Sequence, residues 1–196
     1  MEVLLLRHAQ TAGNLERRYV GRTDEPLCPA GRAAATASGV DTGVALVYVS
    51  PMRRAVETAA IKFPSARQIV LPDLREMDFG DFEYRTADEM AADAAYTRWV
   101  DSGCTGPCPG GESPADFQAR SCRGFAEAVE DATARGAARL VLVAHGGTVM
   151  AVMSRWARPV RSYFDWAVGS CGGYRARLDV ERWPMAPQLT DATFIG

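Results

Sequence analysis

Four short segments carry the residue types that handle a phosphate group, and the chain's two histidines stand in the first and last of them. The apolar run Val3-Leu4-Leu5-Leu6 ends in Arg7-His8-Ala9-Gln10-Thr11-Ala12-Gly13-Asn14. The run Leu140-Val141-Leu142-Val143-Ala144 ends in His145-Gly146-Gly147-Thr148. Between them lie Ser50-Pro51-Met52-Arg53-Arg54-Ala55-Val56-Glu57-Thr58-Ala59 and the acidic stretch Arg75-Glu76-Met77-Asp78-Phe79-Gly80-Asp81-Phe82-Glu83. A neutral imidazole is a competent nucleophile, and neighbouring arginines keep it neutral by lowering its pKa. A phosphoryl group in transfer spreads negative charge over its equatorial oxygens. Arginine forks, a protonated second histidine and helix N-terminal N–H groups would meet that charge. A carboxylic acid such as Glu76 would protonate the leaving alcohol. Asp78, Asp81 and Glu83 stand close by as alternative acids, and the residue types alone do not separate Arg54 from Arg53.

These groups act together only if the fold delivers them to one place. Short β-rich runs alternate with longer helical stretches. Strands are expected near 2–7, 44–49, 67–71, 138–144 and 173–180, each bounded by Gly, Pro, Ser or Asp. Helices are expected near 29–39, 52–62, 86–100, 114–134 and 147–157, with Pro29 in a first turn and Ser113-Pro114 as an N-cap and N1 pair. The βαβα order predicts an α/β fold, a three-layer α/β/α sandwich over a mostly parallel sheet. Ligands bind at the carboxyl ends of such strands, where both histidines fall. Residues 9–28 and 75–113 are expected to cover the site, the second as a lid-like segment of one domain spanning 1–196. The tail from Trp183 holds the apolar anchors Trp183, Leu189 and Phe194, and is expected to pack on the surface or stay loose.

Taken in order, the four segments resemble the histidine phosphatase superfamily, in the branch that holds phosphoglycerate mutases and small-molecule phosphatases. That family shows R-H-G-x-T-x-x-N, S-x-x-x-R-A-x-x-T-A, E-x-x-F-G-x-x-E and S/A-H-G-G patterns. The resemblance implies a phosphoglycerate mutase-like fold and a phosphohistidine on His8. It implies phosphate clamping by Arg7 and Arg54, the arginine that directly precedes Ala55. His145 matches the second core histidine, Glu76 the proton donor and Asn14 a phosphate contact. Gln10, Thr11 and Gly146 fall at phosphate- or substrate-binding positions. One position departs from the pattern: the glycine after the nucleophile is Ala9 here, which adds a methyl group and disfavours positive φ.

Composition narrows the partners. A formal net charge of −2 argues against a nucleic-acid footprint or a membrane-surface patch. No apolar run approaches membrane-spanning length. Five cysteines, an odd number with no apolar leader, fit a cytoplasmic protein with reduced thiols. Cys104 and Cys108 lack further ligands for a metal site, so no cofactor or metal is expected. The partner is a small phosphate ester, and the oligomeric state, monomer or homodimer, stays open. The acidic segment, followed by Tyr96-x2-Trp99 and Gly110-Gly111-Glu112-Ser113, is similar to the α-ribazole phosphatases of cobalamin assembly. Phe79, Phe82, Tyr96 and Trp99 would stack on a flat base or form lid core. Hydrolysis of α-ribazole 5′-phosphate is therefore the leading expectation. A phosphoglycerate mutase or sugar-phosphate phosphatase is the alternative within enzymes, and a weakly active phospho-ligand sensor the alternative outside them.

Overall fold

The computed structural model describes all 196 residues. Six strands form one sheet in the order β3-β2-β4-β1-β5-β6, with β1 at Glu2–Arg7, β2 at Leu46–Val49, β3 at Arg67–Val70, β4 at Arg139–Ala144, β5 at Gly173–Arg177 and β6 at Thr190–Ile195. The first four run parallel, and β5 and β6 add an antiparallel edge. The helices are α1 (Ala12–Leu15), α2 (Pro29–Ala37), α3 (Arg53–Lys62), α4 (Ala94–Asp101), α5 (Pro114–Ala134) and α6 (Gly146–Trp156).

The strand alternation explains the layers. Successive side chains of a strand point to opposite faces. On β1, Val3 and Leu5 enter the core shared with α5 and α6, whereas Leu4 and Leu6 enter the core beneath α3. On β4, Leu140, Leu142 and Ala144 join the first core, and Val141 and Val143 the second. A sheet covered on both faces is what near-continuous apolar strands dictate. The expected three-layer sandwich is the observed one. No helix is long and apolar enough to cross a membrane.

Three expectations change at the edges. The stretch 86–100 is not one helix: a 3₁₀ turn at Asp88–Met90 ends before α4, which Asp93 caps by accepting from Ala95 and Tyr96 N–H. The 9–28 loop contains α1, capped reciprocally by Thr11 and Asn14. The tail is neither loose nor merely surface-packed, because β6 completes the sheet beside β5. Leu189 sets that docking. It is fully buried, its N–H donates to the Trp156 carbonyl at 2.9 Å, and its carbonyl accepts from Arg158 N–H at 2.9 Å. Leu189→Ala should lower unfolding stability by about 2–4 kcal/mol, read as a shift in denaturant midpoint at constant m. A change below about 0.5 kcal/mol would mean that the tail is not part of the cooperative core.

Candidate active site

The strands β1 and β4 are adjacent and in register, with Arg7 opposite Ala144. His8 therefore continues the ladder, donating its N–H to the Ala144 carbonyl at 2.9 Å. The His8 and His145 rings meet edge to face at 5.1 Å between centroids. Both are buried. The backbone carbonyl of Ala9 can only accept, so the His8 Nδ1 contact at 2.6 Å must carry the proton there. Nε2 is left with the free lone pair, as an attacking nitrogen requires. Ala9 itself keeps an ordinary backbone and packs its methyl against Leu27, Ala35 and Cys171. The departure from glycine thus costs no strained φ.

His145 is not the cation expected from sequence. Arg54 Nε–H donates to its Nδ1 at 3.3 Å, which makes Nδ1 the acceptor. Nε2 then carries the hydrogen and donates to Ser50 Oγ at 2.7 Å. Burial first, then the Arg54 charge, pushes its pKa well below the ordinary histidine value. His8 is lowered by the same causes, burial first, then Arg54 and Arg7. Two neutral imidazoles beside two guanidinium groups form a centre that is positive without any protonated histidine.

The arginines differ. Arg7 lines the cleft, donates Nη1–H to the Val168 carbonyl at 2.8 Å, and holds a buried Nε–H with no acceptor. Gly146 lies against its guanidinium, where a Cβ would stand 3.7 Å from Nε. Arg54 is fully buried, and most of its N–H groups are spent: Nη1 on the Thr23 carbonyl, Nη2 on the Gly21 and Val20 carbonyls. Arg53, its neighbour, is at the surface beside Glu57. One first-turn amide of each of the two helices, α3 and α6, is already taken up by an acid. Asp24 accepts from Arg53 N–H at 2.7 Å, and Glu76 accepts from Gly147 N–H at 3.2 Å. An acid at a helix N-terminus is stabilised by the helix dipole.

Glu76 alone among the neighbouring acids lines the cleft. Asp78 pairs with Arg22 and bonds Gly80 N–H, and Glu83 binds the N–H groups of Gly21 and Thr23. Asp81 is exposed. Gly147 must lack a side chain, because a Cβ there would collide with the Glu76 carboxylate and the Phe117 ring. Thr11 is buried, and the reciprocal cap it forms with Asn14 occupies both side-chain oxygens. Gln10 is positioned by its backbone, whose carbonyl accepts from Cys28 N–H. Gln10, Thr11 and Asn14 do not line the cleft that holds Arg7 and Glu76.

A cleft of about 680 Å³ opens over Arg7, Glu76, Gly146 and Gly147. Phe79 and Trp99 reach its wall, whereas Phe82 and Tyr96 pack as an aromatic cluster around Trp99. Sequence reasoning missed Met150, Tyr163, Phe164 and Val168, which form another part of the lining. Tyr163 donates its hydroxyl to the Gly147 carbonyl at 3.2 Å. The only sequence signal for this wall was a pair of aromatics outside any periodic element.

The histidine pair also sets a pH dependence. Both residues titrate lower in the folded state than the ordinary 6.5. The unfolded chain therefore binds more protons below that pH, and stability falls as pH drops from about 6.5. Each histidine contributes up to about 1.4 kcal/mol of loss per pH unit. Between pH 6.5 and about 5.5, His8→Asn should lose less stability than the unmodified protein. Parallel curves would show that His8 titrates alike in the folded and unfolded chains, so that its pKa is not lowered by the fold.

The family model of the histidine phosphatase superfamily (branch 1) matches residues 3–186. The chain is 35% identical over 162 residues to the glucosyl-3-phosphoglycerate phosphatase of Mycobacterium tuberculosis, covering 76% of this chain and 72% of that one. It is 33% identical over 162 residues to the 2,3-bisphosphoglycerate-dependent phosphoglycerate mutase 2 of Gloeobacter violaceus, covering 77% and 73%. The fold superposes on the α-ribazole phosphatase of Shigella flexneri with a TM-score of 0.80 at 23% identity, over 91% of each chain. The chain belongs to the histidine phosphatase superfamily, and it is a phosphoric monoester hydrolase.

Proposed function

We propose that the protein removes the phosphate of α-ribazole 5′-phosphate, the benzimidazole nucleotide of cobalamin assembly, through a phosphohistidine on His8. The observation that carries the substrate is the charge pattern of the cleft. Its lining holds one cation, Arg7, and one acid, Glu76; the rest is aromatic, aliphatic or neutral, including Phe79, Trp99, Met150, Tyr163 and Phe164. Arg7 is needed at the phosphoryl group. A substrate carboxylate, as in phosphoglycerate, would find no second cation, and leaving it unpaired in an apolar cleft is costly. A flat, uncharged base suits the aromatic wall, and Gln118 and Thr105 offer polar contacts for a ribose. The five cysteines are free thiols, which fits the reducing cytoplasm.

In this mechanism His8 Nε2 attacks phosphorus and the bond to the ester oxygen breaks. Arg7 and Arg54 stabilise the charge on the equatorial oxygens. Glu76 gives its proton to the departing alcohol, then takes one from the water that attacks phosphohistidine. Inorganic phosphate leaves and His8 is restored. Neutral His145 supports Arg54 through its Nδ1 and gains a proton more easily once the phosphate dianion is bound.

A glycerate-type or sugar phosphate is the second reading, favoured by the 35% identity to the mycobacterial phosphatase. Phosphate release without added metal decides between them. The kcat/KM for α-ribazole 5′-phosphate should exceed those for 3-phosphoglycerate, glucosyl-3-phosphoglycerate and hexose phosphates by tenfold or more, and His8→Ala should abolish all turnover. A preference for a glycerate ester would replace the ribazole assignment. Turnover that survives His8→Ala would remove the phosphohistidine. Phe164 is 59% exposed at the cleft, so Phe164→Ala tests stacking without emptying the core. It should raise KM for the ribazole ester by about 2–10-fold, with a smaller effect on glycerol phosphate. Equal effects on both would show that the ring does not meet the base.

A further inference from the structure

One charge interrupts the buried stripe of α5. Phe117, Ser121, Gly124, Phe125 and Ala128 face inward at helical spacing, and Arg120 stands among them with 4% of its surface exposed. Every N–H of its guanidinium is used. Nε donates to Glu112 Oε1 at 2.6 Å, and Nη2 to Glu112 Oε2 at 2.6 Å and to the Glu76 carbonyl at 2.9 Å. Nη1 donates to the carbonyls of Asp73 at 3.0 Å and Arg75 at 2.7 Å. A guanidinium has five such donors, and three of the five here hold the backbone that ends at Glu76.

That backbone has little else to fix it. Residues 75–79 belong to no helix or strand, and the carbonyls of Asp73, Arg75 and Glu76 accept no backbone hydrogen bond. Glu112 grips the other side of Glu76, donating its N–H to the Asp78 carbonyl at 2.9 Å. The Glu76 carboxylate is thereby held between Met77 N–H at 2.9 Å and Gly147 N–H at 3.2 Å. The ion pair is a weak contributor to stability in itself, since buried pairs are often replaceable by apolar residues without loss. Its geometry is specific, however. A lysine keeps the charge but lacks the planar five-donor fork, so it cannot span three carbonyls and a carboxylate at once.

We propose that Arg120, with Glu112 as its counter-ion, is the positioning residue that sets the reach of Glu76 to the leaving oxygen. Arg120 acts on proton transfer only through Glu76 and touches no substrate. The inference rests on Glu76 as the acid, as argued above.

The test compares kcat/KM, which reports transfer to His8 and not the later hydrolysis of phosphohistidine, for glycerol phosphate, whose alkoxide must be protonated, and for 4-nitrophenyl phosphate, whose leaving oxygen needs no proton. Glu76→Gln should slow glycerol phosphate by about 100-fold or more and the aryl ester far less. Arg120→Lys should lower kcat/KM on glycerol phosphate by about tenfold, and alter the aryl ester by less than about threefold. The double variant should be no slower on glycerol phosphate than Glu76→Gln alone, because the two changes remove one function. If Arg120→Lys slows both esters in proportion, or if its loss adds in full to that of Glu76→Gln, the positioning role is overturned while the acid assignment stands. If Glu76→Gln slows both esters equally, the acid assignment itself fails and takes this inference with it. Should Arg120→Lys not fold, Glu112→Gln keeps one acceptor oxygen for the fork and gives the same reading. A loss selective for glycerol phosphate supports the role, and a proportional loss overturns it.

Discussion

The pairing of β1 with β4 is the constraint on which the rest of the site depends. Two parallel strands more than 130 residues apart in the chain lie side by side, and the bond from His8 N–H to the Ala144 carbonyl fixes their register at the carboxyl end. A slip of one residue would turn Leu4 and Leu6 from the α3 face to the α5 face and remove the match between both cores at once. Register is therefore enforced by apolar burial along the whole strand. The His8–His145 contact inherits that precision. The chemistry at the sheet edge is held in place by side chains that never touch it.

Burial then decides protonation. Two arginines and two histidines share a space where solvent screening is weak, so the cheapest arrangement leaves the histidines neutral. The arginine charges are offset from outside the pair. Asp24, Glu25 and Glu83 face Arg54, and Glu76 faces both Arg7 and Arg54 before it takes up the proton it gives to the alcohol. Loop 20–23 is folded by the same charges. Its carbonyls bind Arg54, while its Gly21 and Thr23 N–H groups bind Glu83. Loop and site thus depend on each other. Glu83 of the acidic segment holds the loop through its N–H groups, and the loop's carbonyls in turn satisfy the fully buried Arg54.

Much of this was legible in the sequence, and the exceptions have physical causes. Strands β1 and β4 were readable because a strand covered on both faces must be apolar throughout. Helices α2, α3, α5 and α6 were readable from periodicity and from Pro29 and Pro114. β6 was not, because Thr190-Asp191-Ala192-Thr193-Phe194-Ile195 is mostly exposed and shows no core pattern. The charge of His145 was misread because its neutrality depends on which Arg54 nitrogen faces it, a matter of geometry. The aromatics of the 75–113 segment divided for the same reason. Spacing could not tell that Phe82 and Tyr96 pack around Trp99 while Phe79 and Trp99 reach the cleft. Arg120 was not read from the sequence at all, because what marks it is the set of carbonyls its fork holds, which only the structure shows.

The site divides into two parts of different origin. The phosphoryl end is built from strand termini and the first turns of α3 and α6, where backbone geometry leaves little freedom. The alcohol end is built from irregular segments, 76–79, 103–105 and 163–168, together with the start of α5. Irregular segments accept substitution and insertion more readily than sheet ends. Relatives at about a third identity can therefore share the first part while their names speak of different phosphate esters. In such a fold a charge-poor cleft beside a charge-rich centre is itself a means of discrimination. On the proposed reading it admits any ester at the phosphorus, but the unpaired carboxylate of a competing alcohol would lose its hydration with no cation in return.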